Sequence, residues 1–435
     1  MMWTLARDVT SLFSRPGGMI VPGSSDGDPR TLPRAVRTAA LWSRWCLLIV
    51  ALMIGRAGAV PPNAEAPFTI VDSHMHMRTE AGDVEELFAK IQSLTKGGKV
   101  EAINIACIPP WDDQALDQNA LAILFKARHP RTTFAFGGLS YNFPGRTNER
   151  LDYAEQARRL LAMGFDGIKM IEGKPSMRKM TRLPLSARVY DRFYALMEGR
   201  QTPILLHLGD PEGFWDKAYV EKWSIPEEWT YIDGTFPARE TLYAELENVL
   251  GRFPRLQLTL AHFGFLSADP QKAAQFLDRH SSVCLDLTPG TEMYDNFTLQ
   301  PAAWRSFFTR YPDRILLGTD NGYDAGGSVE EFAQRASKHV ECIRQFLETD
   351  GPFSAWGRPE LHGLQLRRDV LEKIYAGNFR RRVAAAPKDV NPRRARAYCD
   401  WLWKQYRLSD SDNAVPAAVK ARLECIRRGL ETLPQ

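Results

Sequence analysis

Two histidines one residue apart close the run Phe68-Thr69-Ile70-Val71-Asp72-Ser73-His74-Met75-His76. Its β-branched and aromatic residues predict a short buried strand, along which alternate side chains share a face, so His74 and His76 point the same way one pleat apart. Two imidazoles in that relation can reach one metal ion; the plain alternative is a polar cap on a strand end. The rest of the chain weighs against the plain reading. Of only eight histidines, two more end apolar runs: His207 closes Pro203-Ile204-Leu205-Leu206, and His262 closes Leu256-Gln257-Leu258-Thr259-Leu260-Ala261. Asp320 likewise closes Ile315-Leu316-Leu317-Gly318-Thr319. Three neutral imidazoles and one carboxylate suit zinc, with manganese as the alternative, and an open position would hold water. Such a metal lowers the pKa of its water; an aspartate touching both can take the proton, and a further histidine can polarise a substrate oxygen or carry a proton.

Something must bring these strand ends together. Strand-like runs recur at 68–75, 101–108, 132–140, 165–171, 202–208, 256–263, 282–288 and 314–320, with amphipathic runs near 82–95, 112–129, 150–163, 186–199, 236–253, 270–279, 301–310 and 328–349 between them. Eight β-α units with near-continuous apolar strands predict an α/β fold, a distorted (β/α)8 TIM barrel, whose strand C-termini converge on one face. An open doubly wound sheet is the alternative, disfavoured because no Gly-rich phosphate loop follows the first strand. The stretch from about Gly209 to Phe236, with Asp210, Phe214, Trp215, Trp223, Trp229 and Tyr231, is long for a βα connection. It reads either as a lid or substrate wall or as an excursion packed on its own small core.

The set His74-x-His76, His207, His262 and Asp320, with Ile374-Tyr375-Ala376-Gly377-Asn378 near the end, resembles the amidohydrolase superfamily. The likeness is to its amidohydrolase-related branch, which includes aminocarboxymuconate-semialdehyde decarboxylase, and it covers about residues 66–384. It implies His74, His76, His207 and Asp320 as ligands of one divalent metal, with His262 as the acid/base or carbonyl-polarising residue. Lys169 ends the fourth strand. In some superfamily members a lysine there is carboxylated and bridges two metals; contact with substrate or an internal ion pair is the favoured reading here, since a desolvated ammonium needs a partner. Asp286 closes the seventh strand, and Trp111 and Tyr141 follow the second and third. Together with Trp215 they are the candidate substrate-pocket residues, each with a structural alternative. Asp72 shares the face of His74 and His76 one pleat deeper, which suits a supporting role.

Composition sets the outer limits. Hydrophobic content of 44% and charged content of 25% over 435 residues are those of an ordinary globular protein. Residues 1–60 hold seven arginines and three aspartates; removing these from 56 basic and 52 acidic residues leaves 49 of each. A neutral body gives no electrostatic case for nucleic acid. Arginines 30, 34, 37 and 44 precede the apolar run from Cys46 to Ile54, and Ala57-Gly58-Ala59 follows. This predicts a leader and signal peptide over 1–59, cleaved after Ala59, and hence a periplasmic or secreted protein with no membrane contact for the mature chain; an uncleaved N-terminal anchor is the alternative. The barrel is expected over 66–384 and a C-terminal helical tail over 385–435, docked on it, with the basic cluster Arg380 to Arg396 as a solvated face. Cys107 and Cys284 read as buried thiols, and in an exported chain Cys399 and Cys425 could pair.

The expected function is metal-dependent hydrolysis of an amide, ester or lactone carbonyl in a small molecule. Two alternatives stand beside it: non-oxidative decarboxylation of an aromatic or unsaturated acid, and a non-catalytic barrel that keeps its metal to bind ligand. A homodimer is left open.

Overall fold

The computed structural model describes residues 67–77, 84–96, 100–108, 118–141, 147–218, 224–225, 229–290, 292–322, 327–408 and 417–433. The expected signal peptide, Cys46, Trp111 and Trp223 lie outside the described residues. No helix among those described is long and apolar enough to cross a membrane.

Each apolar run anticipated from the sequence contributes a strand. They are β1 (Val71–His76), β2 (Ala102–Ala106), β3 (Thr133–Gly138), β4 (Gly167–Gly173), β5 (Ile204–Leu208), β6 (Leu258–Leu260), β7 (Val283–Asp286) and β8 (Ile315–Leu316). Every neighbouring pair from β1 to β8 is parallel. The eighth stave resumes after a kink as β9 (Asn321–Gly322), which pairs in parallel with β1 through Met75 to Asn321 and His76 to Gly322. One sheet in the order β8-β7-β6-β5-β4-β3-β2-β1-β9 therefore curls until its last stave meets its first, as a distorted TIM barrel requires.

Helices cover the strands at or near the predicted positions: Val84–Lys96, Gln118–Arg128, Tyr153–Met163, Asp191–Gly199, Arg239–Arg252, Pro270–Arg279, Pro301–Arg310 and Val329–Glu348. Several begin as side-chain chemistry dictates. Asp152 caps the third through the amide of Glu155, Asp269 caps the helix from Pro270, and Ser328 with Glu331 forms a reciprocal capping box on the last. Not anticipated are the short helices Pro175–Thr181 and Met293–Leu299 and an antiparallel hairpin of β10 (Asp350–Ala355) and β11 (Arg358–Leu364).

The end of the barrel opposite the strand C-termini is closed by the segment after β11. Phe379 meets Phe134 edge to face at 4.9 Å, beside Val71, Cys284 and Leu316. Arg382 corrects the expectation that the basic cluster is wholly solvated. Its guanidinium is buried and donates to the backbone oxygens of Leu258 and Ser282 at the starts of β6 and β7. A cation satisfied by strand-end carbonyls can replace the water it gives up.

The helices Pro392–Leu408 and Ala417–Glu431 dock on the barrel's outer layer. Lys388 N donates to Asp166 Oδ1 at 2.9 Å, while the other oxygen of Asp166 takes a 2.6 Å ion pair from buried Lys126. Cys399 and Cys425 are free thiols, not a disulfide; Cys399 is fully buried as a small apolar residue.

Candidate metal centre and active site

The end of β1 is built from bonds that fix which nitrogen each histidine offers. His76 Nδ1 lies 2.6 Å from the Ala106 carbonyl, which can only accept, so Nδ1 carries a proton and Nε2 is left for the site. His74 Nδ1 lies 2.9 Å from Asp286 Oδ2 and 3.0 Å from Thr288 Oγ1, which likewise frees its Nε2. The two Nε2 atoms stand 3.1 Å apart, and Asp320 Oδ1 lies 2.9 Å from that of His76 and 3.8 Å from that of His74. These three ligand-type atoms converge in space that a single positive centre would fill.

Asp320 reaches the site through a strained turn. Its φ of +56° lies in the left-handed region, a conformation that costs a non-glycine residue roughly 1–3 kcal/mol. The surroundings hold it there. Asp320 N donates to the His74 carbonyl at 2.8 Å, and Asp72 accepts from His74 N, Thr319 N and Thr319 Oγ1 at 3.1, 3.1 and 2.5 Å. At Gly318 an added Cβ would stand 2.6 Å from Thr288 Oγ1 and 2.9 Å from His74 Cβ. Only glycine lets the eighth stave press so closely on the first. Asp72 thus plays the supporting part expected of it.

Burial, and then the Lys169 ammonium, push His74 well below the usual histidine range, so it stays neutral. Burial alone would raise Asp320, but the contact with His76, whose Nε2 is 2.9 Å away, and then the neighbouring imidazoles hold it well below the usual carboxylate range. Two imidazole nitrogens with their far sides hydrogen-bonded, beside an ionised carboxylate, are the donor set and outer support that a borderline divalent metal takes. The residues therefore fit such an ion. Lys169, expected at the end of the fourth strand, stands inside β4 instead; buried and pushed down to about 8 by that burial, it places Nζ 3.1 Å from His74 Nε2.

His262 enters from the end of β6, where His262, Phe263, Gly264 and Phe265 take φ values of 53°, 57°, 60° and 51°. This left-handed run swings the ring to 5.9 Å from His74 and 4.9 Å from His207, centroid to centroid. Its amide is held by Asp286 Oδ1 at 2.8 Å, and its buried Nδ1 has no partner. Burial, reinforced by His207, lowers it to about 4.

Several expected site residues turn out differently. Asp286 is fully buried, and its two oxygens accept from His74, the His262 amide and the Thr288 amide, so that it aligns the two histidines. Tyr141 is 4% exposed, gives its hydroxyl proton to Glu172 and packs on Tyr153 at 5.2 Å. Trp215 donates Nε1 to the Pro237 carbonyl at 3.0 Å and lies 4.6 Å from Tyr231, inside the loop's own aromatic cluster. His207 does not join the three-residue group, because its Nε2 is 3.0 Å from the Gly209 carbonyl and 3.1 Å from Asp210 Oδ1. Sequence reasoning missed Lys174 and Thr288. Lys174, one residue past β4, carried a signal, since a charge immediately after a barrel strand stands on the functional face.

Residues 97–381 match the amidohydrolase family model Amidohydro_2, and the chain belongs to that family. It is therefore an enzyme of the amidohydrolase superfamily, acting on small molecules. The matched span holds His207, His262 and Asp320 and begins after His74 and His76. Among solved structures it is similar to a TIM-barrel protein of Bordetella bronchiseptica (14% identity, 72% of this chain and 97% of that one, TM-score 0.43). A 5-carboxyvanillate decarboxylase of Sphingomonas paucimobilis shares 12% identity over 73% of this chain and 99% of that one, at TM-score 0.42. A lactonase of Listeria monocytogenes shares 11% over 73% and 94%, at 0.38. No curated protein sequence matches the chain.

Proposed function

We propose that this enzyme hydrolyses an amide, ester or lactone carbonyl of a small molecule, using one divalent ion, zinc by the chemistry of the donors, held by His74, His76 and Asp320. The observation that carries the reading is the geometry around the seat. Asp320 Oδ1 stands 2.9 Å from His76 Nε2 where the donor atoms converge, within reach of water held there, and the buried His262 Nδ1 has no hydrogen-bond partner among the described residues. Hydrolysis must take a proton from water in order to attack, whereas decarboxylation must give one to carbon.

The ion, when bound, lowers the pKa of water and polarises a carbonyl. The chain's own residues supply the rest. Asp320 accepts the proton of the attacking water. His262, aligned through Asp286, takes that proton from Asp320 and passes it to the leaving group. Lys169 keeps much of its charge at neutral pH and offsets negative charge developing on the substrate oxygen. The arginine-flanked apolar run before Ala59 supports an exported enzyme.

The test is turnover of the zinc-loaded full chain in oxygen-18 water against panels of lactones, esters, amides and aromatic carboxylic acids. One labelled oxygen in the product, lost with Asp320→Asn, is the expected result. Carbon dioxide release from an unlabelled product would overturn the reading in favour of decarboxylation.

A further inference from the structure

The turn that carries His262 is strained, and its two flanks are held by different chemistry. His262, Phe263 and Phe265 have φ values of 53°, 57° and 51°, a region that residues with side chains avoid. One flank is packed: the Phe263 ring lies 5.0 Å from Phe297, 5.5 Å from Trp304 and 5.9 Å from Phe308. The other is polar. The Tyr243 hydroxyl donates to the Gly264 carbonyl at 2.8 Å, and Arg239 Nη2 donates to the Phe265 carbonyl at 2.9 Å.

Both donors stand on one face of the helix Arg239–Arg252, one turn apart. Arg239 Nη2 also gives to the Tyr243 hydroxyl oxygen at 3.3 Å, with its guanidinium carbon 4.9 Å from the centre of the tyrosine ring. A hydroxyl that accepts from a cation is a stronger donor in its own bond. Asp286 holds the entry to the turn at the His262 amide, and the helix holds its exit. That exit bears on the His262 ring directly, because the Phe265 ring stacks on it at 5.4 Å with 28° between the planes.

We propose that Tyr243, supported by Arg239, is a positioning residue for His262: the two donors hold the exit of the left-handed turn and so fix where the His262 ring stands. The inference rests on the reading of His262 as part of the working site. Without the hydroxyl the Gly264 carbonyl loses a donor, and the turn relaxes part of the time toward the backbone conformations that Phe265 prefers. The His262 ring then moves with its backbone and with the Phe265 ring stacked on it.

The test uses neither turnover nor metal, so it fails separately from the hydrolase reading. The full chain is labelled with carbon-13 in its histidine rings, the His262 signals are identified by their loss in His262→Asn, and amide hydrogen exchange is followed in the same samples. Wild type is expected to show one His262 ring environment. Tyr243→Phe removes one oxygen and keeps the ring, and is expected to add a second environment. It should also speed exchange of the His262 and Leu266 amides, which bond to Asp286 and to the Phe263 carbonyl, about 3- to 10-fold, the worth of one hydrogen bond. Amides of the helix Arg239–Arg252 and of β1 should keep their wild-type rates, which separates a hold on the turn from a general loss of stability. Arg239→Met, which spares the hydroxyl, is expected to act in the same direction. Two environments already in the wild type, one unshifted environment in both variants, or exchange that rises equally in the turn, the helix and β1 would overturn the proposal.

Discussion

The cluster at the end of β1 and the cluster at the ends of β4 and β5 both bury histidine beside carboxylate, yet their charges are arranged in opposite ways. At Asp210 the negative charge is already met: Lys174 bonds both oxygens, and the carboxyl is held well below its usual range against the burial that would raise it. At Asp320 two Nε2 atoms and a carboxylate oxygen face one another, with Lys169 reaching only the His74 nitrogen. A closed ion pair needs nothing from outside and serves to fix orientation. A convergence of donor atoms, with both far-side nitrogens already bonded, invites a cation. Lys169 feels both, since its ammonium interacts with Asp320 on one side and with Lys174 on the other.

If this contrast is right, removing donors from the first cluster should have the largest effect. His76→Ala or Asp320→Asn should lower bound metal from about one equivalent to below roughly a tenth while the fold persists, as elemental mass spectrometry beside circular dichroism would show. Retention of a full equivalent would place the metal elsewhere and erase the distinction. Asp286→Asn comes next. It leaves the ligands in place but weakens the acceptor that aligns His74, with an expected loss of about 10 to 100-fold in zinc affinity, measured by chelator competition. An unchanged affinity would make Asp286 a packing residue only.

The second cluster should behave as a stability element. Lys174→Met leaves Asp210 buried without its cation, so unfolding in urea should show a loss of about 3–5 kcal/mol, far more than a solvated ion pair would give. A loss under about 1 kcal/mol would mean that the network is wetter than its geometry implies. The smallest effect is on Glu172, in β4 between the two lysines. Burial pushes it up to about 7 in the folded chain. The stability it contributes is present below the unfolded carboxyl range and is lost as pH rises through about 7, where a charge must form in the interior. Glu172→Gln should therefore flatten the decline in Tm between pH 5 and 8, and parallel profiles would show that Glu172 is already ionised.

The sequence reads the barrel well because each stave is a near-continuous apolar run ending in a polar residue, a pattern that local chemistry alone produces. It reads the hairpin of β10 and β11 poorly. The residues of β10 alternate between exposed and half-buried up to Ala355, and its turn depends on Trp356 and Gly357 both adopting positive φ. It places His74, His76 and Asp320 on one face for the same reason, since period-two alternation and a strand end are local facts. Asp286 is legible as a strand-end residue, but its role is not. Whether a carboxylate turns to substrate or to two histidines depends on Oδ2 meeting His74, 212 residues away.

Taken alone, then, the sequence determined the eight staves of the barrel, the functional face and which residue types gather there, because hydrophobic periodicity and strand-end chemistry act over a few residues. Only the tertiary structure decided how the gathered residues divide. His207 turns to Asp210 instead of joining the trio, Tyr141 to Glu172 and Trp215 to its own loop, because each choice is made by a hydrogen-bonding partner. Lys174 lies 36 residues before the Asp210 it anchors, Thr319 lies 247 residues after the Asp72 it meets, and nothing in the local pattern encodes those meetings.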